Sequence, residues 1–199
     1  MAVIESKKKL GFGMMRLPKR TDTENGELDN IDVEQVKEMV DTFIERGFTY
    51  FDTAWMYHNK NSEQVVKLAL TDRYSHDRYT LADKYHLAYV KDGTPEEVFL
   101  AQLERCGVEY FDYYLLHDMG HDNYGKFQEV GAFDMVAKMK AKGKIRHVGF
   151  SCHDKAPFLD RVLTEHPELE FVQIQLNYLD WDSPGIQARE AYEMITKHN

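Results

Sequence analysis

The chain has 199 residues, 43% of them hydrophobic and 30% charged, and a formal net charge of −9. That composition supports one sizeable core in a single domain, residues 1–199, and excludes a disordered or fibrous chain. The acidic balance, with no Lys/Arg run longer than Lys7 to Lys9, argues against a nucleic-acid or anionic-membrane partner.

Short apolar runs alternate with helical segments along the chain. Residues 10–15 read as the first strand. Residues 33–46 read as a helix, with Val33, Val36, Met39, Val40, Phe43 and Ile44 on one stripe. Asp32 caps it with Gln35 three residues on, and Gly47 closes it. A strand over 49–53, a helix over 62–71 and a strand over 79–84 follow. Thr94 to Glu97 form a capping box with Pro95 at the first helical position, and Gly107 ends that helix. Then come a strand over 111–117, a helix over 132–142 ended by Gly143, a strand over 145–151, a helix over 155–165 and a strand over 170–176. Ser183 and Pro184 open a last helix.

Each strand candidate is short and rich in aliphatic or aromatic residues, as strands covered on both faces are. Strand–helix alternation implies an α/β fold with a parallel sheet and crossover helices. The strand ends Asp52, Lys84, His117 and Ser151 are separated by 32, 33 and 34 residues. That even spacing favours a (β/α)8 TIM-barrel type of repeated units, although doubly wound sheets use similar ones. Six units are present and a closed barrel needs eight, so the expectation is an incomplete barrel, truncated after the sixth unit. Its open edge would invite self-association.

In such barrels, chemistry collects at the C-terminal ends of the strands. The polar groups expected there are Asp52, Tyr57, Lys84, His117 and Ser151, with Gln173, Gln175 and Asn177 at alternate positions of the sixth strand. A lysine at the inner end of a buried strand needs a partner, and Asp52 is the nearest by topology. A phenol of pKa about 10 is a poor acid near neutrality. A neighbouring ammonium should lower the value for Tyr57, and His117 can orient a carbonyl oxygen. The set suits a substrate that gathers negative charge on oxygen.

Other chemistries have weaker signals. His117, Asp118, His121 and Asp122 could seed a metal site, and with it a metal-dependent hydrolase, but no third ligand is fixed by spacing. Ser151, Cys152 and His153 are neighbours on a strand, so adjacent side chains point to opposite faces. Trp55, Tyr85, His86, Tyr89 and Met119 are either pocket lining or packing. Cys106 and Cys152 make no disulfide framework and fit a reducing cytoplasm. Residues 1–10 hold no stretch apolar enough for a signal peptide or membrane span.

Phe51-Asp52-Thr53-Ala54-Trp55-Met56-Tyr57 resembles the D-T-A-x-x-Y signature of the aldo/keto reductases. Leu10-Gly11-Phe12-Gly13 is similar to their first-strand segment. Lys84 after Leu81-Ala82, Leu115-Leu116-His117, Val148-Gly149-Phe150-Ser151 and Val172-Gln173-Ile174-Gln175 resemble the next strands, in order and at family spacing. The resemblance implies an oxidoreductase that reduces a small-molecule carbonyl with NADPH, or less often NADH. It implies Tyr57 as proton donor, Lys84 as its tuner, Asp52 as the partner of Lys84 and His117 as the carbonyl-orienting group. It further implies cofactor contacts at Gly13 and Met14, at Asp52, and at Ser151 and Gln173. Cys152 stands where the family often has an amide. The opening Gly11 to Pro18 is similar to a bacterial subgroup whose full chains carry an iron–sulfur module. Two cysteines cannot supply its four-cysteine ligand set. The competing expectation is a catalytically incompetent fragment or a regulatory binding module.

Overall fold

A computed structural model describes residues 8–21 and 27–198, apart from the side chain of Tyr89. Six parallel strands form one sheet: β1 (Gly11–Gly13), β2 (Tyr50–Asp52), β3 (Thr80–Tyr85), β4 (Phe111–Leu116), β5 (Ile145–Cys152) and β6 (Phe171–Ile174). Their order in space is their order in sequence, each strand pairing with the next. A doubly wound sheet reverses direction at a switch point, and this one does not. The sheet is therefore six consecutive units of a (β/α)8 arrangement, as the spacing favoured. Among the described residues, β1 and β6 each pair on one side only.

The connecting helices are α1 (Val33–Glu45), α2 (Ser62–Val66), α3 (Pro95–Cys106), α4 (Tyr124–Glu129), α5 (Ala132–Ala141), α6 (Ala156–Glu165) and α7 (Ala188–Lys197). The caps follow the sequence. Gln35 N–H donates to Asp32 at 3.0 Å, and Thr94 and Glu97 satisfy each other's backbone amides. Gly107 closes α3 in the left-handed region (φ 66°), where a side chain would be strained. The helix expected over 62–71 is α2 running into a single π-helical turn, Lys67–Thr71. Two points differ from expectation. The short α4 had no clear periodicity of its own. α7 starts at Ala188 rather than at Pro184, because Gln187 is left-handed (φ 55°) and resets the backbone there.

Alternation along the strands splits the sheet into two faces. Phe51, Leu81, Tyr114 and Phe150 turn to the helices and are fully buried with Phe99 and Leu159 in the main core. Each such side chain contributes about 1.5–3 kcal/mol of transfer free energy. On the other face Tyr50, Ala82, Tyr113, Leu115 and Phe171 form a second, small cluster. Tyr113 stacks edge-on between Tyr50 (5.2 Å) and Phe171 (5.6 Å). This concave face opens as a trough of about 570 Å³, bordered by Gly11, Gly13, Tyr50, Asp52, Phe171 and Gln173.

Candidate active site

Lys84 is the inner-face residue at the end of β3, and only 1% exposed. Its neighbour β2 ends at Asp52, opposite Ala82, which leaves room for the lysine to reach across. Lys84 Nζ donates to Asp52 Oδ1, to the Thr53 carbonyl at 2.8 Å and to the Tyr57 hydroxyl oxygen at 3.3 Å. An ammonium has three protons, and these three acceptors use them all. Asp52 is held in turn by Gln173 Nε2 at 3.2 Å and by the Tyr50 hydroxyl at 3.5 Å. The His117 ring lies 5.9 Å from that of Tyr57, edge to face. Thus Asp52, Tyr57, Lys84 and His117 come from successive strand ends to one place.

One electrostatic expectation is corrected. Lys84 does pull the Tyr57 pKa down, but burial acts more strongly in the opposite direction, and Asp52 adds to it. The net shift is upward from the ordinary phenol value. Tyr57 is therefore a protonated phenol throughout the neutral range. His117 moves the other way. Burial, with Lys84 next, pushes its pKa down to about 3, so its imidazole is neutral. Its Nδ1 is buried without a hydrogen-bond partner among the described residues.

Ser151 and Gln173 face each other across the β5–β6 pairing. Ser151 Oγ accepts the Asp118 N–H at 2.8 Å, which leaves the hydroxyl proton to be given elsewhere. Gly13 borders the trough, and a Cβ there would meet nothing within 4 Å. Met14 is more committed: its N–H donates to the Asp52 carbonyl at 2.8 Å and its carbonyl accepts Ser62 Oγ at 3.1 Å. Gln175 and Asn177 do not join the site. β6 ends at Ile174, and both amides bond Asp180 in the following loop, at 2.7 and 2.9 Å.

Cys152 is buried in the main core, its thiol pushed up to about 11 by burial, while Ser151 is on the opposite face. Among the described residues, no three His, Cys, Asp or Glu side chains are grouped as metal ligands. Of the rim side chains, Tyr85 and Met119 are core packing, and Trp55 has the Arg105 guanidinium 5.0 Å from its ring. His86 is 5.4 Å from His117; the Tyr89 side chain lies outside the described residues.

Sequence reasoning missed a second polar group, behind Lys84 on the helix-facing side: Asp83, Glu63 and Gln102, all fully buried. The available signal was Asp83 itself. A carboxylate beside a lysine, inside a strand covered on both faces, requires polar partners on each face.

A model of the aldo/keto reductase family matches residues 9–199. The methylglyoxal reductase YeaE of Escherichia coli (strain K12) is 34% identical over 113 residues, 57% of this chain and 37% of that protein. An aldo-keto reductase of Mycobacterium sp. (strain MCS) is 26% identical over 155 residues, 78% of this chain and 50% of that protein. The crystal structure of an aldo-keto reductase from Klebsiella pneumoniae in complex with NADPH is similar at a TM-score of 0.71 and 22% identity. It is matched over 94% of this chain and 60% of its own. The chain thus spans half or less of these two curated relatives, and the structural likeness shows the shared fold. Among the described residues, no helix is long and apolar enough to cross a membrane.

Proposed function

As the chain belongs to the aldo/keto reductase family, we propose that it serves the NADPH-dependent reduction of an aldehyde or ketone to an alcohol, with Tyr57 as proton donor. The observation that carries the reading is the use of the third Lys84 proton on the Tyr57 oxygen. Because that oxygen accepts from Lys84, its own proton is left to donate outward. A carbonyl oxygen becoming an alkoxide is a far stronger base than a phenolate, so a raised phenol pKa keeps the donor loaded without blocking the transfer. The phenolate left behind faces the Lys84 ammonium, which Asp52 and Thr53 hold in place. Neutral His117, edge-on to the Tyr57 ring, stands beside the place where the substrate oxygen would lie and adds no charge beside Lys84.

Bound NADPH would supply the hydride. The residues present fit its carboxamide: the Ser151 hydroxyl has a proton to give, and Gln173, donating through Nε2 to Asp52, keeps Oε1 as an acceptor. Gly13 leaves the trough wall open beside Asp52. The Klebsiella pneumoniae relatives solved with NADPH and with NADP support NADPH over NADH. Methylglyoxal, after the Escherichia coli relative, is a reasonable first substrate.

The test is to titrate the 199-residue protein with NADPH and follow nicotinamide fluorescence, then assay methylglyoxal reduction. Micromolar binding is expected. Tyr57→Phe should leave that affinity unchanged and cut turnover roughly 10²- to 10⁴-fold; undiminished turnover would remove Tyr57 as donor. The alternative is a catalytically incompetent fragment or a regulatory binding module. Absence of NADPH binding would support it.

A further inference from the structure

Lys84 extends two residues beyond the last β2–β3 pairing, Asp52 with Ala82, so its backbone has lost a strand partner on that side. Side chains replace it. The Lys84 N–H donates to Asp83 Oδ1 at 2.8 Å, and its carbonyl accepts from Gln102 Nε2 at 3.1 Å. Gln102 gives its other amide proton to Glu63 Oε1 at 3.0 Å and accepts from the Tyr114 hydroxyl. Glu63 also accepts from Arg105, and Gln102 ties it to the same Lys84 peptide that Asp83 holds from the other side. Cys106 Sγ lies 3.7 Å from Asp83 Oδ2. Asp83, Glu63, Gln102, Tyr114 and Cys106 are all 0% exposed.

The charges facing this cluster can be counted. α2 contributes Glu63, α3 contributes Arg105 and the Cys106 thiol, β3 contributes Asp83, and β4 contributes the Tyr114 phenol. The Lys84 ammonium is spent on the opposite face, against Asp52. Two dry carboxyl groups thus stand in one cluster with one guanidinium, which is bound to Glu63, so a second full negative charge there would be buried without a counter-ion. We propose that Asp83 and Glu63 hold a single proton between them and, with Gln102, are positioning residues that aim Lys84 at Tyr57. Burial raises both carboxyls, Asp83 well above the usual carboxylate range, with the Glu63 charge acting on it as well. The positioning role rests on the reductase reading; the shared proton does not.

The test uses the 199-residue protein and needs no turnover. Infrared spectra at pH 7 should show the band of one buried carboxylic acid, absent in Asp83→Asn. In Asp83→Asn the amide oxygen still accepts from Lys84 and the NH₂ donates to Glu63. The Tyr57 titration, followed by NMR of ring-labelled tyrosine, should therefore not move. Asp83→Val removes the acceptor. With the fold checked by circular dichroism, it should shift the Tyr57 midpoint upward by about one pH unit as the ammonium drifts away. Gln102→Leu asks the same from the carbonyl side should Asp83→Val fail to fold. A merely structural Asp83 would lower stability and leave the midpoint in place. Absence of the acid band in the unaltered protein overturns the shared proton. A downward shift of the Tyr57 midpoint in Asp83→Asn does so too, since it means that a full negative charge was removed. Because neither readout involves turnover, failure of the reductase reading would leave the acid band to stand or fall by itself.

Discussion

His117 and Tyr57 face each other in one site, yet burial moves their pKa values in opposite directions, because each is held in its neutral form. For His117 this makes stability depend on pH. Its folded value is about 3, below the unfolded value of about 6.5. Between the two, the unfolded chain binds a proton that the folded one refuses. Stability is thus fully present above about pH 6.5 and falls as pH drops towards 3. His117→Gln cannot charge and should lose less over that window, a difference on the order of a few kcal/mol in denaturant titrations at pH 7 and pH 4. Equal losses would mean that the imidazole is already protonated in the folded protein. The Lys84–Asp52 pairing was legible in the sequence, because a lysine on a buried strand demands a nearby carboxylate. The direction of the Tyr57 shift was not. It depends on how deeply the ring is buried, which a chain of letters does not carry.

Among the elements, β5 and β6 meet most tightly at Gly149. A Cβ there would lie 2.4 Å from the Phe171 carbonyl oxygen and 2.8 Å from its ring. Backbone cannot yield as a flexible side chain does. Gly149→Ala should cost about 1–3 kcal/mol in unfolding free energy. It should also weaken NADPH binding, because it pushes β6, and with it Gln173, away from Ser151. A variant with unchanged stability would show that the two strands part freely. All six strands and the capped helices α1 and α3 were legible from apolar runs and capping residues. The last strand was read too long, since Gln175 and Asn177 keep the alternation but turn to Asp180. The start of α7 was misread because nothing in the local sequence announces a left-handed Gln187. The Asp83–Glu63–Gln102 cluster was less legible, because its members come from three elements and meet on the helix-facing side, away from the rim where barrel chemistry collects.

At the scale of the molecule, and among the described residues, β1 and β6 each have one unpaired edge, the concave trough is open, and Leu10, Met15 and Leu179 are exposed. Unpaired backbone next to apolar surface favours association. Sedimentation of the 199-residue protein should show weight-average mass rising with concentration, and NADPH should oppose the rise if it fills the trough. A monomer at all concentrations would argue that the trough is no sticking point. The in-order strand arrangement has a further consequence for synthesis. Asp52, Tyr57, Lys84 and His117 all lie within the first four units, whereas Ser151 and Gln173 belong to the fifth and sixth. A nascent chain leaving the ribosome carries the whole proposed acid–base set before it carries the two proposed nicotinamide contacts. Errors late in translation would then spoil the grip on the reductant before they disturb the proton relay.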